Sequence, residues 1–402
     1  MLSVGDGGVD RITSARVAGH DELVDVVVGD GMVIAVEPSS GSPGLDAAGR
    51  VVAPAFVDAH VHLDKAYLLR DAEACAPVAP RLDAAIVAVE ALRKEVSLEA
   101  VRANALRAID ALVRHGTVAA RVHVEVEPQG GLELLDLHLD LAHDVESRCA
   151  LQLVAFPQLG LERPGARELL ATAMARGATV VGGCPYVDDD PVAHLDAVFA
   201  LAERHGAPLD LHLDFDDDPS RSLLELVVER TVAHGMQGQV TLGHVTTLAA
   251  MDPDAQAASF ACLADAGIAL VVVPATDLYL GGHGEPGHRS LAPFERAAAA
   301  GVAVAIGNNN IANPFAPFGN ASLVQAAWLA GLTRRVSDAA GRALLLDAIS
   351  TGPAAILGLP PHGPVAGAVA DLVMLDTLEA DAAISAAPAV VTTVHGGRLA
   401  FA

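Results

Sequence analysis

Val51-Val-Ala-Pro-Ala-Phe56-Val-Asp-Ala-His60-Val-His62-Leu-Asp64-Lys65 begins as an apolar run and ends in a series of polar, chemistry-bearing side chains. The run Val51 to Phe56 has the length and composition of a buried strand. His60 and His62 are two residues apart, so on extended chain both rings project from one side and can share one metal ion. The same texture recurs along the chain. Candidate strands follow at Val118 to Val126, Ala150 to Phe156, Thr179 to Gly183, Leu209 to Leu213, Val240 to Gly243, Ile268 to Val273 and Val302 to Ile306. Helical stretches such as Leu82 to Lys94 and Leu98 to His115 lie between them. Eight strands alternating with helices predict parallel pairing through right-handed crossovers and closure into a (β/α)8 TIM barrel. An open doubly wound sheet is the competitor, but no glycine-rich dinucleotide fingerprint follows the first strand.

Polar residues gather at the strand exits, where barrel enzymes place their sites. Working outward from His60, His62, Asp64 and Lys65, they are His123 and Glu125, Gln158, Cys184 and Tyr186, His212 and Asp214, His244, Asp277 and the run Asn308-Asn-Asn310. Tyr67, Tyr186 and Tyr279 are the only tyrosines, and their places suggest a pocket for a flat ring. His283, in Gly281-Gly-His-Gly284, lies on a glycine-rich stretch that reads as a lid. Outside the barrel, Leu23 to Val28 and Met32 to Val36, then Asp371 to Leu375 and Val390 to Val394, read as strands. Residues 1–52 plus 366–402 are therefore expected to form a small β-sandwich-like domain, and residues 53–365 the barrel.

The chain has 402 residues, 52% hydrophobic but only 3% aromatic, so Ala, Val and Leu must fill its core. Fifty acidic against 25 basic residues give a formal charge of −25, which disfavours nucleic acid and anionic membrane partners. No apolar run reaches spanning length, and residues 1–10 lack the basic and apolar regions of a secretion signal. Cys75, Cys149, Cys184 and Cys262 are scattered without a CxxC pair. A cytoplasmic protein, expected as a homo-oligomer acting on a small molecule, fits these properties.

Pro54-Ala-Phe-Val-Asp-Ala-His-Val-His-Leu-Asp-Lys65 resembles the first-strand motif of the amidohydrolase superfamily, in its cytosine deaminase-like branch. Arg121-Val-His-Val-Glu-Val126, Val154-Ala-Phe-Pro-Gln-Leu-Gly160, Asp210-Leu-His-Leu-Asp214, Gly243-His-Val-Thr-Thr247, Asn313-Pro-Phe315 and Ala370-Asp-Leu-Val-Met-Leu-Asp376 extend the resemblance over almost the whole length. It implies that His60, His62 and His212 bind one divalent ion, zinc or iron, which makes water acidic enough to ionise near neutral pH. It further implies that His244 orients substrate and water, and that Gln158 hydrogen-bonds a heterocycle.

The pattern breaks at two posts. Where the family carries a metal-binding aspartate that takes the water's proton, this chain has Asn309, which can offer a carbonyl oxygen but is a very poor base. This weakens the expected metal site. Where the family carries a glutamate proton shuttle, the chain has Phe215. Asp214 is the favoured substitute acid–base group, if the strand stays extended and gives it His212's face; its ordinary role would be to cap or orient the loop. Glu125, Asp64 and the run Asp216 to Asp218 are further carboxylates near strand exits. Cys184 stands where related hydrolases carry a metal-bridging residue; it is either a thiolate ligand or a buried inert thiol. His123 is either a second-site ligand or a wall residue. Lys65 can pair with Asp64 or hold an acidic substrate group, and Tyr186 and Asp277 complete the expected substrate-binding set.

Three functions follow. The first is hydrolysis of a non-peptide C–N bond in a small heterocycle or cyclic amide. The second is metabolite binding by a catalytically altered relative, and the third is a metal-dependent lyase or isomerase reaction.

Overall fold

The protein is described by a computed structural model covering residues 7–75, 79–283, 289–380 and 383–402. Among these residues sixteen strands form three sheets. Strands β1 (Arg11–Ala15), β2 (Val24–Gly29), β3 (Met32–Pro38) and β4 (Leu45–Asp46) make a four-stranded sheet in the order β3-β2-β1-β4. β5 (Val51–Pro54) leaves that sheet for another. The barrel is β6 (Phe56–Val61), β7 (Thr117–Glu125), β8 (Ala150–Phe156), β9 (Val180–Gly183), β10 (Leu209–Leu213), β11 (Val240–His244), β12 (Ala269–Val272) and β13 (Val304–Ile306), each hydrogen-bonded to the next in sequence order. β14 (Leu372–Leu375), β15 (Val390–His395) and β16 (Arg398–Phe401) then join β5 in the order β16-β15-β14-β5.

The neighbouring barrel strands pair in parallel, for example Leu209↔Val240 through Leu213↔His244. Every residue of β6, β7, β10 and β11 is buried, as expected of strands covered on both faces. The ring is completed between first and last strands by a Val61–Asn309 bridge: His62 N–H donates to Asn309 O, and Asn309 N–H to His60 O, both at 2.7 Å. This closure sets the two histidines and Asn309 side by side.

The two terminal sheets share an apolar cluster that includes Ile12, Val26, Val52, Leu372, Met374 and Val394. This is the small sheet domain made by both ends of the chain. One expectation needs correction. Val51 to Phe56 is not the barrel's first strand. It divides at Ala55: Val51–Pro54 pairs antiparallel with β14, and the barrel strand starts at Phe56 and runs to Val61, so His60 lies within the strand and His62 just beyond it.

Three helices after β6 shape the site. α2 (Leu82–Leu92) packs over the barrel mouth, where Leu82, Ala85, Ile86 and Val89 gather around Leu280 and Phe315, and α1 (Leu69–Cys75) packs on α2 through Ala72, Ala88 and Leu92. α3 (Leu98–Arg114) is capped by Ser97, whose Oγ accepts Ala100 N–H at 3.2 Å. It buries Val101, Ala105, Ala108, Ile109 and Leu112 on one stripe.

Candidate metal centre and active site

The barrel strands bring His60, His62, His123, His212 and His244 together, all 4% exposed or less. Inward-facing residues of a strand alternate, so His60 and His62, Arg121 and His123, and Asp210 and His212 enter the barrel in same-face pairs. Gly243 makes room for them: a Cβ there would lie 2.9 Å from two atoms of the His60 ring.

His212 Nε2 lies 3.2 Å from His60 Nε2 and 3.1 Å from His62 Nε2. Burial holds all three rings well below the ordinary histidine range, and the neighbouring His123, His244 and Lys65 push the same way. His212 Nε2 therefore lies against the Nε2 atoms of two other neutral imidazoles. Ligand nitrogens about 2.0–2.1 Å from a divalent ion are separated by roughly 2.9–3.4 Å for angles between square and tetrahedral. Each of these two spacings is one that a pair of ligands to such an ion has, and Nδ1 of each of the three rings has no hydrogen-bond partner. Two sets of histidines have ligand nitrogens close enough to hold a metal, His60–His62–His123 and His60–His212–His244. His60 belongs to both sets, and the carboxylate that His123 and His244 each have on one nitrogen leaves the other nitrogen able to bind an ion.

His244 Nδ1–H donates to Asp277 Oδ1 at 2.6 Å, and Asp277 Oδ2 accepts Val273 N–H at 3.1 Å. Asp277 sits in the short helix Pro274–Leu280, behind the histidine, so it orients His244 rather than lining the pocket expected for it. With Nδ1 carrying the proton, His244 Nε2 is an acceptor, and Asn309 Nδ2 approaches it at 3.5 Å. Asn309 Oδ1 is buried and unpartnered, a neutral oxygen donor beside the histidines.

His123 stacks on His60 with ring centroids 3.9 Å apart. Its Nε2 meets Asp210 Oδ1 at 3.0 Å, and Asp210 Oδ2 accepts Arg121 Nη1–H at 2.8 Å. Lys65 pairs with Glu125 at 2.5 Å instead of with Asp64, and lies 3.4 Å from Gln158 Oε1. Asp64 turns to Arg93, just past α2, at 2.8 Å, and Arg93 also holds Glu125 at 2.9 Å. Burial alone would raise the Glu125 carboxyl, but Arg93 and Lys65 pull it down to about 2. It is a fixed anion.

Two other candidates sit differently from the expectation. β10 ends at Leu213 and Asp214 takes φ +49°, so the two-residue alternation with His212 does not reach it. Its carboxylate accepts Ser222 Oγ–H at 2.5 Å, Leu223 N–H at 3.0 Å and Thr247 Oγ1–H at 3.3 Å, which anchors the loop after β10. Cys184 belongs to neither metal-capable group among the described residues. Burial pushes its thiol up to about 12, so it is protonated at neutral pH.

Phe215 stands edge-on to His244 at 5.2 Å. A pocket of about 20 Å³, lined by His62, Lys65, Gln158, Tyr186, His212 and His244 among others, opens above the histidines. Tyr186 is the tyrosine that lines it. Tyr67 instead lies under the Arg107 guanidinium at 3.8 Å, and Tyr279 packs near Phe318. His283 N–H and Gly282 N–H donate to Asp217, and His283 Nε2 donates to Pro80 O at 2.7 Å; Gly284 lies outside the described residues.

Residues 81–401 match the amidohydrolase family (Amidohydro_3). The chain belongs to the amidohydrolase family. Among curated relatives of this amidohydrolase is the pterin deaminase of Rhizobium rhizogenes, 30% identical over 87% of this chain and 81% of that protein. Another is the N-isopropylammelide isopropyl amidohydrolase of a Pseudomonas species, 25% identical over 96% of each chain. Among solved structures, the 5-methylcytosine deaminase of Klebsiella pneumoniae liganded with phosphonocytosine superposes with a TM-score of 0.91, at 27% identity over 97% of both chains. These relatives carry deaminase or amidohydrolase names, so the chain is a hydrolase of non-peptide C–N bonds. Members of this superfamily bind a divalent metal, and the histidines here could hold one.

The strand motifs pointed to the histidines. Arg93, Asp58 and Glu127 went unread. Asp58 holds Asn308 through Asn308 Nδ2–H at 2.7 Å, bracing β13 against β6. Arg93 and Glu127 carry no motif, being an ordinary helix-end arginine and a loop glutamate until the fold brings them to the site.

Proposed function

We propose that this amidohydrolase removes an exocyclic amino or alkylamino group from a small nitrogen heterocycle, with zinc or iron held by His60, His62, His212 and the Asn309 carbonyl oxygen. The observation that carries the reading is the approach of His212 Nε2 to the Nε2 atoms of His60 and His62, at 3.2 and 3.1 Å, beside the His244–Asp277 pair. Imidazole donors suit either ion. A bound divalent ion supplies the acidity that lets water ionise near neutral pH.

The remaining steps belong to side chains. His244 Nε2 accepts a proton from water, and Asp277 stabilises the imidazolium that results, as a carboxylate on the far nitrogen does in other acid–base histidines. The same proton is then available to the leaving amine. This takes over the duty of the aspartate and glutamate replaced by Asn309 and Phe215. Gln158 and the Lys65 ammonium, pinned by Glu125, offer hydrogen bonds to ring nitrogens and carbonyls, and Tyr186 and Phe215 supply flat apolar wall. The relatives' names, a pterin deaminase and a 5-methylcytosine deaminase, support pyrimidine and pteridine rings as the substrate class.

The test is ammonia or amine release from a panel of aminated pyrimidines, triazines and pteridines by protein loaded with zinc or with iron(II). Release that is lost in His244→Asn supports the reading. A metal-loaded protein that binds these rings and releases no amine would replace hydrolysis by binding alone.

A further inference from the structure

Beside the small pocket lies a cleft of about 630 Å³ between α2 and the residues that follow β7 and β8. Gln158 and Phe315 line both spaces, and the Lys65–Glu125 pair spans them, with Lys65 on the pocket and Glu125 on the cleft. The pocket's 20 Å³ has room for about one water molecule, whereas the cleft is of the size that ligand sites usually have. Its walls are largely apolar, with Ile86 and Val89 from α2, Leu134 and Leu159.

One polar group in that wall is incompletely used. Glu127 Oε1 accepts Leu159 N–H at 2.8 Å, but Oε2 is buried with no hydrogen-bond partner. Two other acidic groups there have cations: Glu125 has Lys65 and Arg93, and Glu90 has Arg163 at 3.1 Å. Burial drives the Glu127 carboxyl up to about 8, and neighbouring Glu125 adds to this, so at neutral pH Glu127 carries a proton and can donate it in a hydrogen bond. A buried donor without an acceptor is unfavourable until something supplies one.

We propose that the cleft is a second substrate subsite, which holds a substituent carried by the heterocycle and donates a hydrogen bond from Glu127 to a carbonyl oxygen or ring nitrogen of that substituent. This rests on the heterocycle reading above and deepens it. Substituted rings are the preferred substrates, because the substituent fills apolar wall that a bare ring leaves exposed.

The experiment compares 2-amino-4-oxopteridine with its 6-formyl and 7-formyl derivatives, by quenching of pteridine fluorescence in zinc-loaded protein. At least one formyl derivative binds about tenfold more tightly than the bare ring. The ratio falls to near one in Glu127→Leu and is largely kept in Glu127→Gln, whose amide N–H still donates; circular dichroism and thermal midpoints establish that both variants fold. An unchanged ratio in Glu127→Leu, an equal loss for both rings, or no binding of any ring overturns the subsite. Ammonia release, followed on the same samples, judges the reaction separately. A binding preference without ammonia keeps the subsite and removes the deaminase reading, and ammonia without the preference does the reverse.

Discussion

Replacing Glu127 by glutamine should make the protein's stability less sensitive to alkaline pH. In the folded chain the carboxyl titrates at about 8 instead of 4.5, first because burial disfavours its charge and then because Glu125 is near, against the pull of Leu159 N–H, Arg163 and Lys65. The folded state therefore keeps a proton that the unfolded state has already released. Stability contributed by that proton is present below the unfolded value, and is lost as pH rises from about 4.5 towards 8. The gap, from 4.5 to about 8, corresponds to at most about 5 kcal/mol at roughly 1.36 kcal/mol per pH unit. Glu127 is only partly buried, and relaxation with water screens the charge, so about 2 kcal/mol is the expected effect. The assay is urea unfolding of wild type and Glu127→Gln at pH 5 and pH 9, with metal content matched. The variant should gain about 2 kcal/mol relative to wild type between the two pH values, and all other ionisations cancel in the comparison. A double difference near zero, or of opposite sign, would mean that Glu127 is already ionised in the fold, and it could not then serve as the donor of the cleft.

His60→Ala and His62→Ala should each purify with less than about a tenth of an equivalent of zinc or iron; elemental analysis showing wild-type content in both would refute the ligand set. Cys184→Ser should keep its metal, since the thiol is held protonated and lies outside both metal-capable groups; loss of metal by the same analysis would make Cys184 a ligand. Asp277→Asn should lower kcat by about 10²-fold or more with little change in KM, and should shift the acidic limb of the pH–rate profile, because His244 must be unprotonated to accept the water's proton and its imidazolium loses its anion; an unaltered profile would leave Asp277 a purely structural residue. Asp25, at 0% exposure, would be raised by burial but is drawn from 3.8 to about 2 by Ser40 N–H, Ser39 Oγ–H and Ser14 N–H. Its stabilisation, present above the unfolded value, should be lost as pH falls from about 4 to 2, so acid unfolding of Asp25→Asn should lack about 2 kcal/mol of the wild-type pH dependence.

Much of the fold is readable because a parallel barrel strand is an apolar run with an abrupt polar end. Seven of the expected strands overlap β7 to β13 in turn. The first does not, for a reason that periodicity cannot supply. Val51–Pro54 and Phe56–Val61 are both short buried runs, separated only by Ala55, and either could feed either sheet. What decides is the partner, β14, more than 300 residues away, with Leu372 opposite Pro54 and Leu375 opposite Val51. The two terminal ends were legible as strands for the same reason that their sheet order was not: alternation marks a strand, and pairing is a tertiary fact.

The site was legible wherever extended geometry held. His60 with His62 and His123 with Arg121 follow strand alternation, and reading Asp210 beside His212 in the same way would have found the buried Arg121–Asp210–His123 chain. The rule fails at Asp214, where φ turns positive and the carboxylate goes to Ser222, Leu223 and Thr247. It also cannot see Arg93, which reaches Asp64 and Glu125 across 29 and 32 residues from the end of a helix.

With Phe215 and Asn309 at the two posts where the resemblance places catalytic carboxylates, the centre still carries negative charge on the carboxylates around it. Asp64 and Glu125 are neutralised by Arg93 and Lys65, and Asp210 shares its charge between Arg121 and His123. Asp58 accepts only from Asn308 and the backbone of His60, and burial drives it up to about 7. Asp214 is committed to neutral donors in its loop. Among the described residues of the centre, that leaves Asp277 as the carboxylate that contacts a histidine without an arginine or lysine on its other oxygen. Burial raises the Asp277 carboxyl while His244 draws it back, so a proton arriving at His244 Nε2 would be the one that Asp277 stabilises directly. A water proton delivered to His60, His62 or His212 would put a cation among rings that burial already holds neutral. On the function proposed above, proton traffic would run through His244, and one histidine–carboxylate pair would support work that the resemblance assigns to two carboxylates.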